Sequence, residues 1–159
     1  MTVTKKGVTY SADDESEVVD CLFCKIQQKK EPATIVFEDE EFVVFKTIAP
    51  ASKLHLLVTP RLHIRNLRSL NKYEDAELIH KMKFVGERSI IAVDENALKN
   101  SPIQFCFHVP PWNSIDHLHL HAIAYPNEMN FGGFFKYNTY LPFCELADNT
   151  IKRLLQLKK

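Results

Sequence analysis

The chain has 159 residues, 45% apolar and 25% charged, with 20 basic and 20 acidic side chains. That length suffices for one domain with a real core, and the balanced charge excludes a broad electrostatic footprint for nucleic acid. No apolar run approaches the ~18–20 residues of a membrane span, and "MTVTKKGVTYSADDESE" has no apolar segment of the kind a secretory signal needs, so four cysteines are expected as free or metal-bound thiols in a cytoplasmic, and also nuclear, protein.

Residues 1–16 are polar, with an acidic run from Asp13 to Glu17. They are expected as a loose tail, leaving 17–159 as one domain with a C-terminal helical extension. "EVVDCLFCKIQQKKEP" predicts a short helix, because Val18, Leu22 and Ile26 recur at steps of four and Pro32 lies beyond its basic end. "TIVFEDEEFVVFK" predicts a hairpin turning at Asp39 and its acidic neighbours. "HLLVTP" predicts a third strand stopped by Pro60. Asn71 with Glu74 reads as a capping box that opens a long helix to about Val93, with Leu78, Met82, Val85 and Ile90 near one face. "IQFCFHV" and "HLHLHAIA" predict two strands paired antiparallel across "PPWNS". A last helix is expected from Glu145 to Leu157. The order predicts an α+β domain: a mainly antiparallel five-stranded sheet, one long covering helix and a short N-terminal helix.

The segment "DHLHLHAIA" (116–124) carries the chemistry. In an extended strand, residues i, i+2 and i+4 project from one face. His117, His119 and His121 therefore share a face, and Leu118, Leu120 and Ala122 share the other, which packs on the core. With the long helix over the apolar face, the histidines belong to the opposite, more open face or to the sheet's edge. A row of imidazoles can bind metal, bind an anion, or do nucleophilic and acid–base chemistry near neutral pH. Asp116 alternates to the other face and is not read as a catalytic carboxylate partner.

His117-Leu118-His119-Leu120-His121-Ala122-Ile123 fits, at every position, the pattern of the histidine triad family, which the chain resembles from about Cys21 to Ala124. "FKTIAPASKLHLLVTPRLH" is similar to the family's central segment. "FHVPPWNSIDHLHLH" is similar to the third Hint subfamily and secondarily to aprataxin. The resemblance implies a HIT-like fold and a nucleotide hydrolase that forms a nucleotidyl-histidine intermediate on His119, with no cofactor required. It implies that His121 donates to phosphate, that His55 orients or relays protons, and that Ser114 bonds the phosphate or leaving group. An alternative reading of Ser114 is a turn-capping serine. The base pocket implied is Leu22, Phe23, Ile26, Phe45 and Ile48, each of which reads equally as core. Thr47 stands where Hint proteins carry an Asp for the ribose, and offers one hydroxyl and no charge. His108 is a candidate for nucleotide contact, against an ordinary strand-end histidine. The Cys21-x-x-Cys24 pair, with His63 and His117, is implied to hold a structural zinc, against two simply packed thiols.

The function implied is cleavage of purine nucleoside phosphoramidates, with an AMP-like substrate and a homodimer through the long helix and a strand; membrane and nucleic-acid partners are not expected. Two other readings remain at this stage. One is a nucleotide-sensing module with vestigial catalysis. The other is an aprataxin-like hydrolase of adenylated DNA, against which the balanced charge counts, since DNA ends call for phosphate-neutralising Lys and Arg.

Overall fold

The computed structural model describes residues 1–99 and 101–157. The chain begins with strands β1 (Thr2–Lys5), β2 (Val8–Ser11) and β3 (Val18–Cys21), which runs into helix α1 (Leu22–Gln27). Strands β4 (Ile35–Glu38), β5 (Phe42–Lys46) and β6 (His55–Pro60) precede the long helix α2 (Asp75–Val93). Then follow β7 (Gln104–His108), β8 (Leu120–Ile123), α3 (Phe131–Lys136), β9 (Cys144–Leu146) and α4 (Ala147–Leu155). The main sheet has six strands in the order β4-β5-β6-β8-β7-β9, and β1-β2-β3 form a second sheet. No helix among the described residues is long and apolar enough to cross a membrane.

The strand pattern explains the layering. In β5, Phe42 and Val44 join the core under α2, with Leu56, Val58, Leu120 and Ala122. Val43 and Phe45 face the other way and pack with Leu57, Phe23 and Ile26. Alternate residues thus feed two cores, which is why these strands read as near-continuous apolar runs. The second face is covered at one end by the N-terminal sheet and α1. At the other end it is covered by Met129, Tyr137 and Cys144. The histidine row therefore lies in a cleft between two packed ends rather than on an open face.

Four expectations are corrected. The supposed tail is a hairpin: Lys6 and Gly7 both take positive φ (48° and 73°), and Lys5 pairs with Val8. A two-residue loop with positive φ at both positions matches the twist of a hairpin. The hairpin is pinned because Val8 and Tyr10 are buried. Val18–Cys21 is strand, not helix, since it pairs with β2, so α1 starts only at Leu22. Asn71 does not cap α2; instead the Asp75 carboxylate accepts from the Asn71 and Lys72 amides, each at 2.9 Å. Residues 144–146 form β9, a sixth strand on the β7 edge, and the last helix is shortened to begin at Ala147.

Gly86 shows how closely α2 lies on the sheet. A Cβ there would sit 3.1 Å from both Phe105 and Val58. Neither wall is a flexible chain end, so Gly86→Val should overpack the interface and cost about 2–3 kcal/mol. Thermal denaturation should show a melting temperature lower by roughly 4–12 °C; an unchanged value would mean that the helix can lift off the sheet without penalty.

Candidate active site

Pairing between β6 and β8 sets the site. His55 lies opposite Ile123, and Leu57 opposite His121. His117 and His119 precede β8 rather than lying in it, and the Leu118 amide between them donates to the Ile64 carbonyl at 2.6 Å. The rings of His119 and His121 stand 5.1 Å apart.

The backbone dictates where the protons sit. The Ala51 amide donates to His55 Nδ1 at 3.0 Å. That nitrogen must carry a lone pair, so the His55 proton is on Nε2. His55 Nε2 lies 2.9 Å from His121 Nδ1 and therefore donates to it. His121 then bears its own proton on Nε2, a buried atom with no partner within the protein. A buried donor left unpaired is costly, and here it faces the cleft. His119 is fixed separately: its Nδ1 meets the His117 carbonyl at 2.7 Å. Only an N–H can bond a carbonyl, so Nδ1 is protonated and Nε2 keeps a free lone pair. Burial pushes His119 down to about 4 and His121 well below its ordinary value. Both are neutral at pH 7, His119 presenting a lone pair and His121 an N–H donor.

A cleft of about 330 Å³ opens beside them. One end is apolar, with Leu22, Phe23, Ile26, Phe45, Leu57 and Ile48. Phe23 stands edge-on to both Phe45 and His119. Ser114 and Thr47 also line the cleft, Thr47 Oγ1 accepting from the Ala49 amide at 3.2 Å. Every residue named from the sequence for base, ribose and phosphate is therefore on this wall except His108. His108 Nε2 is occupied by the Lys136 carbonyl at 3.0 Å, and its ring packs behind His121 and Tyr137. It supports the wall rather than forming it. The sequence reading missed Lys136 and Tyr137, which reach the cleft from the C-terminal side. No local motif marks them.

Beside the cleft, Cys21, Cys24, His63 and His117 each aim one ligand atom at a common centre, all within 4.8 Å of one another. Cys21 Sγ and Cys24 Sγ lie 3.4 and 3.5 Å from His117 Nδ1. Cys24 Sγ is also 3.5 Å from His63 Nδ1, and the two Nδ1 atoms are 3.1 Å apart. Their other nitrogens are occupied. His117 Nε2 donates to the Pro60 carbonyl at 2.9 Å. His63 Nε2 meets Tyr10 Oη at 3.0 Å, and that hydroxyl donates to Asp116 at 2.6 Å. Both Nδ1 atoms thus present lone pairs to each other, an arrangement that a cation between them relieves. Asp116 is committed to this network. Burial opposes its ionisation, but hydrogen bonds from Tyr10, Asn66 and Arg65 hold it below the usual carboxylate value.

Residues 20–134 match the family model described as scavenger mRNA decapping enzyme C-term binding. Adenosine 5′-monophosphoramidase HINT3 of Mus musculus is 39% identical over 113 residues, 70% of this chain and 67% of that one. Bifunctional adenosine 5′-phosphosulfate phosphorylase/adenylylsulfatase HINT4 of Arabidopsis thaliana is 36% identical over 107 residues, 67% of this chain and 70% of that one. Among solved structures, a HIT family hydrolase from Legionella pneumophila Philadelphia 1 aligns with a TM-score of 0.56 and 30% identity, over 67% of this chain and 93% of that chain.

His55 gives a test of this electrostatic picture. Burial first, then the Lys136 ammonium, pushes it down to about 3, whereas an unfolded chain titrates near ~6.5. The unfolded state therefore takes up a proton that the fold refuses. The stabilisation from keeping His55 neutral is complete above ~6.5 and is lost as pH falls toward the folded value, at about 1.4 kcal/mol per unit. The stability gap between the wild type and His55→Gln should narrow by about 2 kcal/mol between pH 7 and pH 5. Urea denaturation across that range reads it, and parallel curves would mean that the folded protein accepts the proton.

Proposed function

Because the chain belongs to the histidine triad family, we propose that it is an adenosine 5′-phosphoramidase working through a nucleotidyl-His119 intermediate. The free lone pair on His119 Nε2, held by the Nδ1–H bond to the His117 carbonyl at 2.7 Å, carries this reading. The apolar end of the cleft takes the base. His119 Nε2 attacks the α-phosphorus, forming an N–P bond as the P–N bond to the amine breaks. The His121 Nε2–H donates to a non-bridging phosphate oxygen, where charge builds up in the transition state. The departing amine takes one proton from solvent. Water then adds to phosphorus, the N–P pair returns to His119, and one proton is released, so the cycle is balanced. Desolvation favours this chemistry, because a neutral imidazole is the nucleophilic form.

His119→Asn keeps a planar polar side chain and removes the nucleophilic ring nitrogen. Turnover of adenosine 5′-phosphoramidate should fall by at least about 10³-fold, with AMP binding retained. Near-wild-type turnover would exclude His119 as the nucleophile.

We further propose that Cys21, Cys24, His63 and His117 hold a structural zinc ion. Tetrahedral zinc, with bonds of about 2.3 Å to sulfur and about 2.0 Å to nitrogen, puts S and N ligands roughly 3.5 Å apart and two nitrogens roughly 3.3 Å apart. The S–N separations of 3.4 and 3.5 Å and the N–N separation of 3.1 Å support this fit. Zinc would supply no chemistry to the reaction; it would tie α1, and with it Phe23, to the sheet. Elemental analysis of untagged protein should find about one zinc per chain, and Cys24→Ser should remove most of it and lower the melting temperature. Metal-free, fully folded wild-type protein would leave the cluster as packed thiols and imidazoles.

A homodimer through the long helix and a strand remains a proposal, with the helix rather than the sheet edge as its contact. The β7 edge is taken by β9, and Ile151 and Leu154 of α4 are buried in the core that α2 helps to form. The outer face of α2 stays open, with Phe84 exposed.

A further inference from the structure

Helix α3 reverses the usual helix pattern. A helix lying on a protein buries its apolar stripe and turns polar residues outward. In α3 the buried residue is Gly133, where a Cβ would lie 2.8 Å from the Ala51 Cβ. Phe131, Phe134 and Phe135, spaced i, i+3 and i+4, share the other side of the helix. They are 93%, 52% and 66% exposed.

The aromatic surface continues beyond the helix. Phe135 lies 5.6 Å from Phe143, and Phe143 lies 6.1 Å from Trp112, which is 53% exposed. Ile48, on the loop against which α3 docks, is fully exposed. Backbone bonds hold these parts in place. The Asn130 amide donates to the Ala51 carbonyl at 2.8 Å, and Asn130 Nδ2 to the Pro50 carbonyl at 2.9 Å. The Val109 amide donates to the Phe143 carbonyl at 2.9 Å, and the Trp112 amide to the Val109 carbonyl at 2.8 Å. A row of neighbouring rings left in water on a fixed scaffold marks an interaction surface, unlike a single stray apolar side chain.

Charge decides between partners. The chain has no acidic residue between Glu128 and Glu145. Three cations border the rings. Lys136 directly follows Phe135. Lys6 Nζ donates to the Pro111 carbonyl at 2.7 Å and Arg68 to the Pro110 carbonyl at 2.8 Å, the two residues that precede Trp112. None of the three has an ion pair among the described residues. Such a face suits a partner that is apolar within and anionic at its surface. A bilayer with anionic headgroups has that profile: Phe and Trp enter the boundary between headgroups and acyl chains, and Lys and Arg stay among the headgroups. A second copy docking through the same face would bring two cationic borders together. A single nucleic-acid strand calls for a basic groove that tracks successive phosphates, which three cations around an aromatic row do not form.

We propose that this face docks the protein peripherally on a lipid bilayer that carries anionic headgroups. A surface contact of this kind needs no spanning segment. Lys136 and Ile48 also line the cleft, so docking sets the mouth of the cleft beside the lipid surface. The contact does not depend on the chemistry of His119.

The test uses the full chain and vesicles of phosphatidylcholine, alone or mixed with phosphatidylserine. Trp112, the one tryptophan of the sequence, is the reporter. Wild-type protein should float with the mixed vesicles at low salt and be released by high salt. Its emission should shift to the blue, and lipids brominated on their acyl chains should quench it. The double variant Phe134→Ser/Phe135→Ser should weaken partitioning by at least about ten-fold, and Lys136→Glu by about five-fold or more. Both should keep near-wild-type melting temperatures, because these side chains are exposed. Wild-type protein that floats with neither kind of vesicle overturns the proposal, and so does undiminished flotation of the double variant. A blue shift that grows with protein concentration in the absence of lipid, together with a doubled mass, would assign the face to a second copy instead. A shift produced by a single-stranded oligonucleotide but not by vesicles would assign it to nucleic acid, and either result overturns the lipid contact.

Discussion

One backbone amide, that of Ala51, orders the protons of the site. It donates to His55 Nδ1, and an imidazole with one nitrogen so engaged has a single place left for its proton. The constraint passes to His121 and ends at Nε2, facing the cleft. Without that amide, both rings could exchange tautomers, and the N–H facing the cleft would exist only part of the time. The cost is an unpaired buried N–H in the free protein, which is the kind of preorganised donor that an anionic phosphate can use without reorganisation.

His117 joins two functions in one residue. Its side chain points into the Cys21, Cys24 and His63 cluster, while its carbonyl holds the His119 proton. Between Cys21, at the end of β3, and Cys24 on α1 sits Phe23, edge-on to His117 and His119 alike. The apolar wall of the cleft, the cluster and the His119 tautomer are therefore held through the same few residues. Tyr10 extends this coupling to the first strands of the chain, since it is the acceptor for His63 and the donor to Asp116.

What was legible in the sequence follows from which signals are local. The period-two histidines, the strands of residues 35–60 and the long helix each announce themselves within a short window. The cluster of Cys21, Cys24, His63 and His117 came from the resemblance, since their spacing alone leaves packed thiols open. Other parts depend on tertiary pairing. "VVDC" alternates as well as it follows a helical step, and only β2 decides for strand. The hairpin before it was hidden by polar composition, although Lys6-Gly7 is a turn signal. Tyr10, Lys136 and Tyr137 lie far in sequence from the histidines they touch, and nothing beside them in the chain advertises the contact.

The C-terminal segment explains why the sheet has six strands rather than five. β7 would otherwise present an open row of amides and carbonyls, a template for unwanted pairing. β9 closes that edge by pairing Cys144 with His108 and Leu146 with Cys106, and α4 places Leu154 in the core beneath. Covering the edge also determines where the preceding residues run. The chain must cross the far end of the cleft to reach β9, and in doing so it lays Tyr137 against His55, His108 and His121. A structural requirement, closure of the sheet, thus brings an aromatic ring and a cation to the histidines of the cleft. The desolvation that holds those histidines neutral comes in part from the same few residues.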